Sequence, residues 1–96
     1  MRREEALRLL AEHRDELTAM GAASLSLFGS VARDEAGPES DVDILIEPGR
    51  PMGLFGLAAI HLRLEAILGR RVELITANGL AERYLAHIVP DLVRAT

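Results

Sequence analysis

The segment Leu27–Ile46 (LFGSVARDEAGPESDVDILI) constrains the fold more than any other part of the chain. Near its end, Asp41 and Asp43 stand two residues apart within a run of apolar and β-branched residues, which favour strands. Alternate side chains of a strand point to the same face, so both carboxylates would project together with Leu45 while the intervening residues face the core. The pattern predicts a half-buried β-strand with paired acids on one face.

Two carboxylates on one strand face repel each other. Their Cβ atoms would lie roughly 6.6 Å apart and their oxygens could approach to about 5 Å. At an effective dielectric constant of about 20, the repulsion amounts to about 3 kcal/mol, which a divalent cation would remove. Oxygen ligands in a chain without cysteine favour Mg²⁺ or Mn²⁺. The two residues alone leave open a simpler interpretation, an exposed strand face on which Asp41 and Asp43 meet only solvent.

A glycine-serine pair precedes these acids. Ser24–Phe28 is predicted to be a strand that stops at Gly29-Ser30, and Val31–Asp34 to be the first turn of a short helix with Ser30 as its N-cap. Glycine lets the backbone approach a ligand closely, and the free N–H groups at a helix start attract phosphate. In isolation the pair is also compatible with an ordinary strand-to-helix turn. A connection of about ten residues with one helical turn is compatible with neighbouring antiparallel strands, which would bring the pair beside the acids.

The combination of GSVAR at 29–33 with SDVDILI at 40–46 resembles the nucleotidyltransferase motif of the DNA polymerase β superfamily. More narrowly, it is similar to the minimal nucleotidyltransferase (MNT) domains, which are often paired with a HEPN partner in prokaryotic toxin–antitoxin modules. The resemblance implies an α+β fold, with a small mixed sheet of about three to four strands flanked by helices. It also implies that Gly29 and Ser30 hold the triphosphate of a nucleotide, with Arg33 near the phosphates or bracing the loop.

The resemblance further implies that Asp41 and Asp43 bind two Mg²⁺ ions together with a third carboxylate from a later strand. The matching strand is Arg71–Ile75 (RVELI), so the third acid would be Glu73, where the family usually has Asp. If this strand pairs in register with the strand of Asp43, three carboxylates meet on one sheet face.

Length and composition narrow the classes of function. The 96 residues predict a single domain, 1–96, with one core and no second substrate-binding lobe. A net charge of -4 argues against autonomous nucleic-acid binding. The absence of cysteine excludes disulfides and thiolate zinc sites and is compatible with the cytoplasm.

The N-terminus MRREEALRLL does not look like a signal peptide, and the apolar window Met52–Leu62 is too short to span a membrane. With 49% hydrophobic residues, the domain is expected to keep apolar surface for a partner or for a homo-oligomer.

Apolar residues at helical spacing predict the remaining elements. The first helix is expected over Glu4–Met20, ending at Gly21, with the stripe Ala6, Leu10, His13, Leu17 and Met20. A second is expected to end at Gly69, with the stripe Leu54, Leu57, Ala58, His61, Leu64 and Leu68. This helix is apolar on more than one side. Both histidines are interpreted as packing residues. A last helix is expected from Leu80, bent or restarted by Pro90 before Asp91–Arg94.

The activity that the resemblance implies is transfer of a nucleoside monophosphate, with ATP the favoured donor, to a hydroxyl group with release of pyrophosphate. Because the domain is too short to build an acceptor pocket, the acceptor is expected on another protein. For MNT domains this would be a tyrosine of a HEPN toxin, silenced by AMP transfer, so that the chain acts as an antitoxin. Two alternatives stay open, namely an antitoxin that neutralises its partner by binding alone and nucleotidyl transfer to a small molecule such as an aminoglycoside.

Overall fold

The computed structural model describes residues 1–76 and 86–96, which form a mixed four-stranded sheet with helices. This confirms the predicted α+β class with its small mixed sheet. In chain order the elements are α1 (Arg3–Glu12), α2 (Arg14–Ala19), β1 (Ala22–Phe28), α3 (Gly29–Ala32), β2 (Val42–Pro48), α4 (Leu54–Leu68), β3 (Val72–Thr76), a 3-10 turn (Val89–Asp91) and β4 (Val93–Arg94).

The sheet has the strand order β3-β2-β1-β4. Strand β1 pairs antiparallel with both β2 and β4, whereas β2 and β3 are parallel and are joined through α4. The antiparallel neighbours that the short 29–41 connection predicted are therefore confirmed. In this register Asp43 lies beside Phe28 on one side and beside Glu73 on the other.

The two faces of the sheet are buried differently. One face carries the main core, in which Val42, Ile44 and Ile46 are fully buried against residues of α1 and α4. The opposite face holds a small cluster of three buried residues, Phe28, Leu45 and Ile88. Alternation along β2 puts Asp43 on the same face as Leu45, as the sequence predicted.

The first predicted helix is divided in two at His13, so the prediction of one helix over Glu4–Met20 is wrong. The His13 backbone has φ -109° and ψ 16°, outside the helical region. Its ring Nδ1 donates to the Leu9 carbonyl over 2.9 Å, and its backbone N–H bonds the Leu10 carbonyl instead. The imidazole thus takes the carbonyl that the backbone N–H of a regular helix would use.

Helix α4 lies where predicted and buries Leu64 and Leu68 of the predicted stripe, but its buried face is rotated towards Ile60, which lay outside that stripe. Its fully buried residues are Ile60 and Leu64, with Leu68 nearly so, whereas Leu54 is 81% exposed. The stripe predicted from Leu54 is therefore wrong at its N-terminal end. Because the helix is apolar on several sides, its periodicity could not select the face that meets the sheet.

The end of the chain differs from its prediction. The helix expected from Leu80 lies partly outside the described residues, which omit 77–85. The helical restart expected over Asp91–Arg94 is wrong, because the 3-10 turn is followed by β4, whose Val93 and Arg94 pair with β1. The N–H groups of Ala95 and Thr96 continue this contact by donating to the Leu25 carbonyl. None of the described helices is long and apolar enough to cross a membrane.

Candidate active site

The bend that follows β1 begins at Gly29, whose φ of +68° lies in the left-handed region that favours glycine. Helix α3 starts at this residue with Phe28 as its N-cap, and no side chain caps it. The prediction of Ser30 as N-cap is therefore wrong, because the helix starts two residues earlier than expected and includes Ser30 in its first turn.

Gly29 lies directly against the carboxylate of Asp43. A Cβ atom added to Gly29 would lie 3.1 Å from Asp43 Cγ and would overlap Asp43 Oδ2. Any side chain at position 29 would thus have to displace the acid. The structure brings together the glycine-serine bend and Asp43, which the sequence predicted to be neighbours.

Asp43 and Glu73 are neighbours across the parallel pair β2–β3. Burial, a side-chain hydrogen bond shared with Glu73 and the negative charges of Glu73 and Asp41 raise the pKa of Asp43 to about 6. Such a shift indicates carboxylates close enough to compete for one proton. Glu73 therefore occupies the position that the sequence analysis expected for the third acid.

Asp41 is exposed and lies one residue before β2. Its charge reaches Asp43, but among residues 1–76 and 86–96 no three His, Cys, Asp or Glu side chains are grouped closely enough to hold a metal ion by themselves. Asp41 instead lines a polar groove of about 450 Å³ together with Arg70 and Arg71. From the sequence, Arg70 and Arg71 could contact phosphate but are interpreted as structural cations near a helix C-terminus, and their position at the groove becomes evident only from the fold.

Arg33 braces the bend, one of the two roles expected for it. Its Nη1 donates to Asp91 Oδ2 over 2.8 Å, and its Nε donates to Glu35 Oε2 over 3.4 Å. The first contact links α3 to the 3-10 turn, 58 positions later in the chain. The guanidinium charge also acts on Asp43, whose pKa it lowers against the larger opposing effects.

A second arginine also holds the C-terminal end of α3. Arg3 donates from its backbone N–H to Asp34 Oδ1 over 3.0 Å and from Nη1 to the Ala32 carbonyl over 3.1 Å. Segments close to both ends of the chain therefore attach to the short helix that carries Gly29. The sequence gives no local signal for these contacts, because their partners lie far apart in the chain.

Two side chains of α4 fix the backbone next to Glu73. His61 Nε2 donates to the Val72 carbonyl over 2.6 Å, and the Val72 N–H donates to Glu65 Oε2 over 2.9 Å. The sequence predicts only a packing role for His61, whereas the structure shows that it also binds the backbone of Val72. The one sequence feature that points to this joint role is the spacing of His61 and Glu65, since residues four apart share a helix face.

The donor set suits a hard divalent cation. Mg²⁺ is usually held by one or two carboxylates, with substrate phosphates and water completing its shell. Asp43 and Glu73 provide two adjacent carboxylates, and the charge of Asp41 stands close enough to raise the pKa of Asp43. A larger groove of about 590 Å³ lies at the other end of β2, and the described residues that line it, 48–52 with Leu57 and Thr76, include no acid.

Comparison with known proteins identifies relatives along most of the chain. The nucleotidyltransferase domain family matches residues 8–94. A Methanocaldococcus jannaschii protein classed as a protein adenylyltransferase is 40% identical over 60 residues, which are 62% of this chain and 64% of that relative. This chain therefore spans just under two thirds of that protein's length. The protein adenylyltransferase MntA of Thermococcus cleftensis is 35% identical over 91 residues, 94% of this chain and 92% of MntA.

Solved structures share the fold. A structure described as a minimal nucleotidyltransferase superposes with a TM-score of 0.74 at 33% identity, covering 91% of this chain and 93% of the other. A chain from the complex of tri-AMPylated Shewanella oneidensis HEPN toxin with MNT antitoxin superposes with a TM-score of 0.67 at 15% identity, covering 94% and 71%. At that identity the likeness concerns the fold alone.

Proposed function

The chain belongs to the nucleotidyltransferase domain family, and from this premise we propose that it transfers AMP from ATP to a hydroxyl group of a partner protein. The partner is a HEPN toxin and the acceptor a tyrosine, so that the modification silences the toxin. Support comes from the relative named protein adenylyltransferase MntA and from the complex in which a HEPN toxin carries AMP groups.

The observation that carries the proposal is the contact of three elements at one point of the sheet. Asp43 lies beside Glu73 across β2–β3, and Gly29 packs against the Asp43 carboxylate. A nucleotidyltransferase needs acids for metal next to a bend that holds phosphates, and this arrangement provides both. The raised pKa of Asp43 supports the same assignment, because strongly perturbed carboxylates are typical of functional sites.

In the proposed reaction, the acceptor oxygen attacks the α-phosphorus of ATP in line with the leaving pyrophosphate. The bond from the acceptor oxygen to phosphorus forms, and the bond from the α-phosphorus to its bridging oxygen breaks. Asp41, Asp43 and Glu73 would hold two Mg²⁺ ions, which neutralise triphosphate charge and lower the pKa of the attacking hydroxyl. Ser30 and the first N–H groups of α3 position the phosphates, and a carboxylate of the site takes the hydroxyl proton.

The experiment is a transfer assay with the full chain, the co-purified partner, Mg²⁺ and ATP labelled at its α-phosphate. Label is expected on the partner, and Asp43→Asn is expected to lower its rate of incorporation by at least about 100-fold, since a metal-binding carboxylate is lost. Asp15→Asn, which changes an exposed acid on α2 far along the chain, is the matched control. Chelation by EDTA is expected to stop incorporation, and added Mg²⁺ to restore it.

Two outcomes would contradict the proposal. Neutralisation of the toxin without label, and unchanged in Asp43→Asn, would mean that the chain acts by binding alone. Label on a small acceptor such as an aminoglycoside, with none on the partner, would mean that the chain modifies a small molecule and not a protein. Mass spectrometry of labelled partner peptides locates the modified residue, and any residue other than tyrosine would refute that part of the proposal.

A further inference from the structure

The outward side of α4 is apolar along its whole length. Among the largest side chains on it, Phe55 is 90% exposed, Leu54 81% and Leu62 67%. Every exposed residue of the helix is apolar, and the complete set is Leu54, Phe55, Ala58, Ala59, Leu62 and Ala66. A surface helix of a monomer normally carries its polar residues on this side.

The polar groups of α4 are turned to the helix's own domain. Arg63 pairs with Glu16 of α2, with Nη2 to Oε1 at 3.0 Å. His61 and Glu65 bond the backbone of Val72. The exposed residues of the outward side carry no charge themselves, so covering them desolvates no ionic group within the row, and the nearest charge is that of Arg63 at its flank, whose side chain is 40% exposed.

Four of the exposed residues form a row that we call the outer seam, namely Phe55, Ala59, Leu62 and Ala66. They follow one another at steps of four, three and four, the spacing of the contact positions of a coiled coil. Their sizes alternate, since Phe55 and Leu62 are large whereas Ala59 and Ala66 are small. Large and small side chains thus alternate along the outer seam, and each small one leaves space for a large side chain of a partner helix.

We propose that the occupant of the outer seam is a second copy of this chain, docked through an antiparallel contact between two α4 helices about a two-fold axis. The axis passes between positions 60 and 61. It places Phe55 opposite Ala66 of the second copy and Leu62 opposite Ala59 of the second copy. Each large side chain then meets a gap, as close packing requires.

The parallel arrangement fits less well. It would set Phe55 against Phe55 and Ala59 against Ala59, so that bulky layers alternate with voids along the seam. In the antiparallel arrangement all four layers contain one large and one small residue. The size pattern of the seam therefore specifies both the occupant and its direction.

The area available sets the strength of the contact. A Phe or Leu side chain buries on the order of 150 Å² when it is covered, so the seam and its flanks would bury about 400–500 Å² on each copy. The total of about 900 Å² lies below the standard size of a stable interface. The dimer is accordingly expected to form reversibly in the micromolar range rather than to be permanent.

Disulfide trapping tests the direction of the contact, since the natural chain contains no cysteine. Positions 59 of the two copies would be offset by about 4.5 Å along the helix axis and positions 66 by about 16.5 Å. Mild oxidation is expected to convert most of Ala59→Cys into a covalent dimer, and Ala66→Cys to stay monomeric. A mixture of Phe55→Cys with Ala66→Cys is expected to give the cross-linked heterodimer. Equal self-linking of Ala59→Cys and Ala66→Cys would overturn the antiparallel arrangement.

Sedimentation velocity over a range of protein concentrations tests the association itself. The natural chain is expected to shift from monomer to dimer, whereas Ala59→Arg stays monomeric and keeps its circular dichroism spectrum. Ala11→Arg, at an exposed helical alanine of α1, is the matched control and should associate like the natural chain. A natural chain that remains monomeric at all concentrations, with the seam protected from hydrogen exchange only when the partner toxin is added, would overturn the proposal.

Discussion

At Gly29 the backbone conformation and the chemistry of the site depend on the same residue. Gly29→Ala is expected to cost activity for two reasons, a left-handed φ and the overlap of its Cβ with the Asp43 carboxylate. The conformational part should lower the free energy of unfolding by about 1–2 kcal/mol. Displacement of Asp43 should lower AMP transfer by at least about 100-fold, because small displacements at a reacting centre are costly.

Gly69 offers the matched control for this prediction. Its φ of +66° equals that of Gly29 within a few degrees, yet a Cβ there would meet nothing within 4 Å. Gly69→Ala is therefore expected to lose similar stability in urea denaturation and to retain most of its transfer activity. Equal loss of activity in the two variants would contradict the prediction, because it would show that the effect of Gly29→Ala does not depend on the contact with Asp43.

Asp43 gives stability a measurable pH dependence in the metal-free protein. Burial, Glu73 and Asp41 raise its pKa from the ordinary 3.8 to about 6, so the folded state holds the proton more tightly than the unfolded chain. The contribution to folding is complete below the unfolded pKa and is lost as the pH rises through about 6. Between pH 4 and pH 7 the loss is expected to be on the order of 1 kcal/mol, since solvent reaches this half-buried group.

The difference between the natural chain and Asp43→Asn isolates this contribution from the other titrating groups. Urea denaturation in EDTA should give a difference that grows in favour of Asp43→Asn from pH 4 to pH 7. Added Mg²⁺ at pH 7 should stabilise the natural chain more than the variant. A difference that is constant with pH would contradict the raised pKa.

Among the elements, α4 controls the position of Glu73 through the backbone of the preceding residue. Glu65→Ala removes the acceptor of the Val72 N–H and is expected to lower the free energy of unfolding by about 1–3 kcal/mol, as an amide loses its partner. Transfer activity should fall further than stability explains, with kcat affected more than KM. Glu12→Ala, which breaks only the exposed pair with Arg8, is the control and should change stability by less than about 0.5 kcal/mol.

The strands that carry the site could be predicted from the sequence. Alternation along 41–46 gave the face of Asp43, and the acid in RVELI led to Glu73, which the register places beside Asp43. Both assignments depend on patterns of period two within one strand. The relative direction of β2 and β3 stays open at the level of the sequence, and only the structure shows that the two strands are parallel and connected by α4.

Other features had no local signal. The division of the first helix at His13 depends on a ring competing with the backbone for one carbonyl, which hydrophobic periodicity does not reveal. Strand β4 comprises two residues, too few to show any alternation, and it exists because β1 has an edge to pair. The contact of Arg33 with Asp91 joins distant segments, so only the folded chain defines it.

For the molecule as a whole, β4 covers the outer edge of β1. A chain shortened by residues 92–96 would lose the N–H groups of Ala95 and Thr96 that bond Leu25, together with the pairing of Val93. The loss is expected to be about 2–3 kcal/mol, and the uncovered strand should promote aggregation. Thermal unfolding and light scattering measure both effects. Arg94→Ala, which keeps the backbone pairing, should behave like the natural chain.

The attachment of Arg3 and Asp91 to the C-terminal end of α3 has a practical consequence for anyone who labels or immobilises this protein. An affinity tag or fluorescent fusion at either end of the chain would act on the same four-residue helix, which begins at Gly29 beside Asp43. The segment 49–53 lies between β2 and α4, and a label inserted there would not act on these contacts with α3.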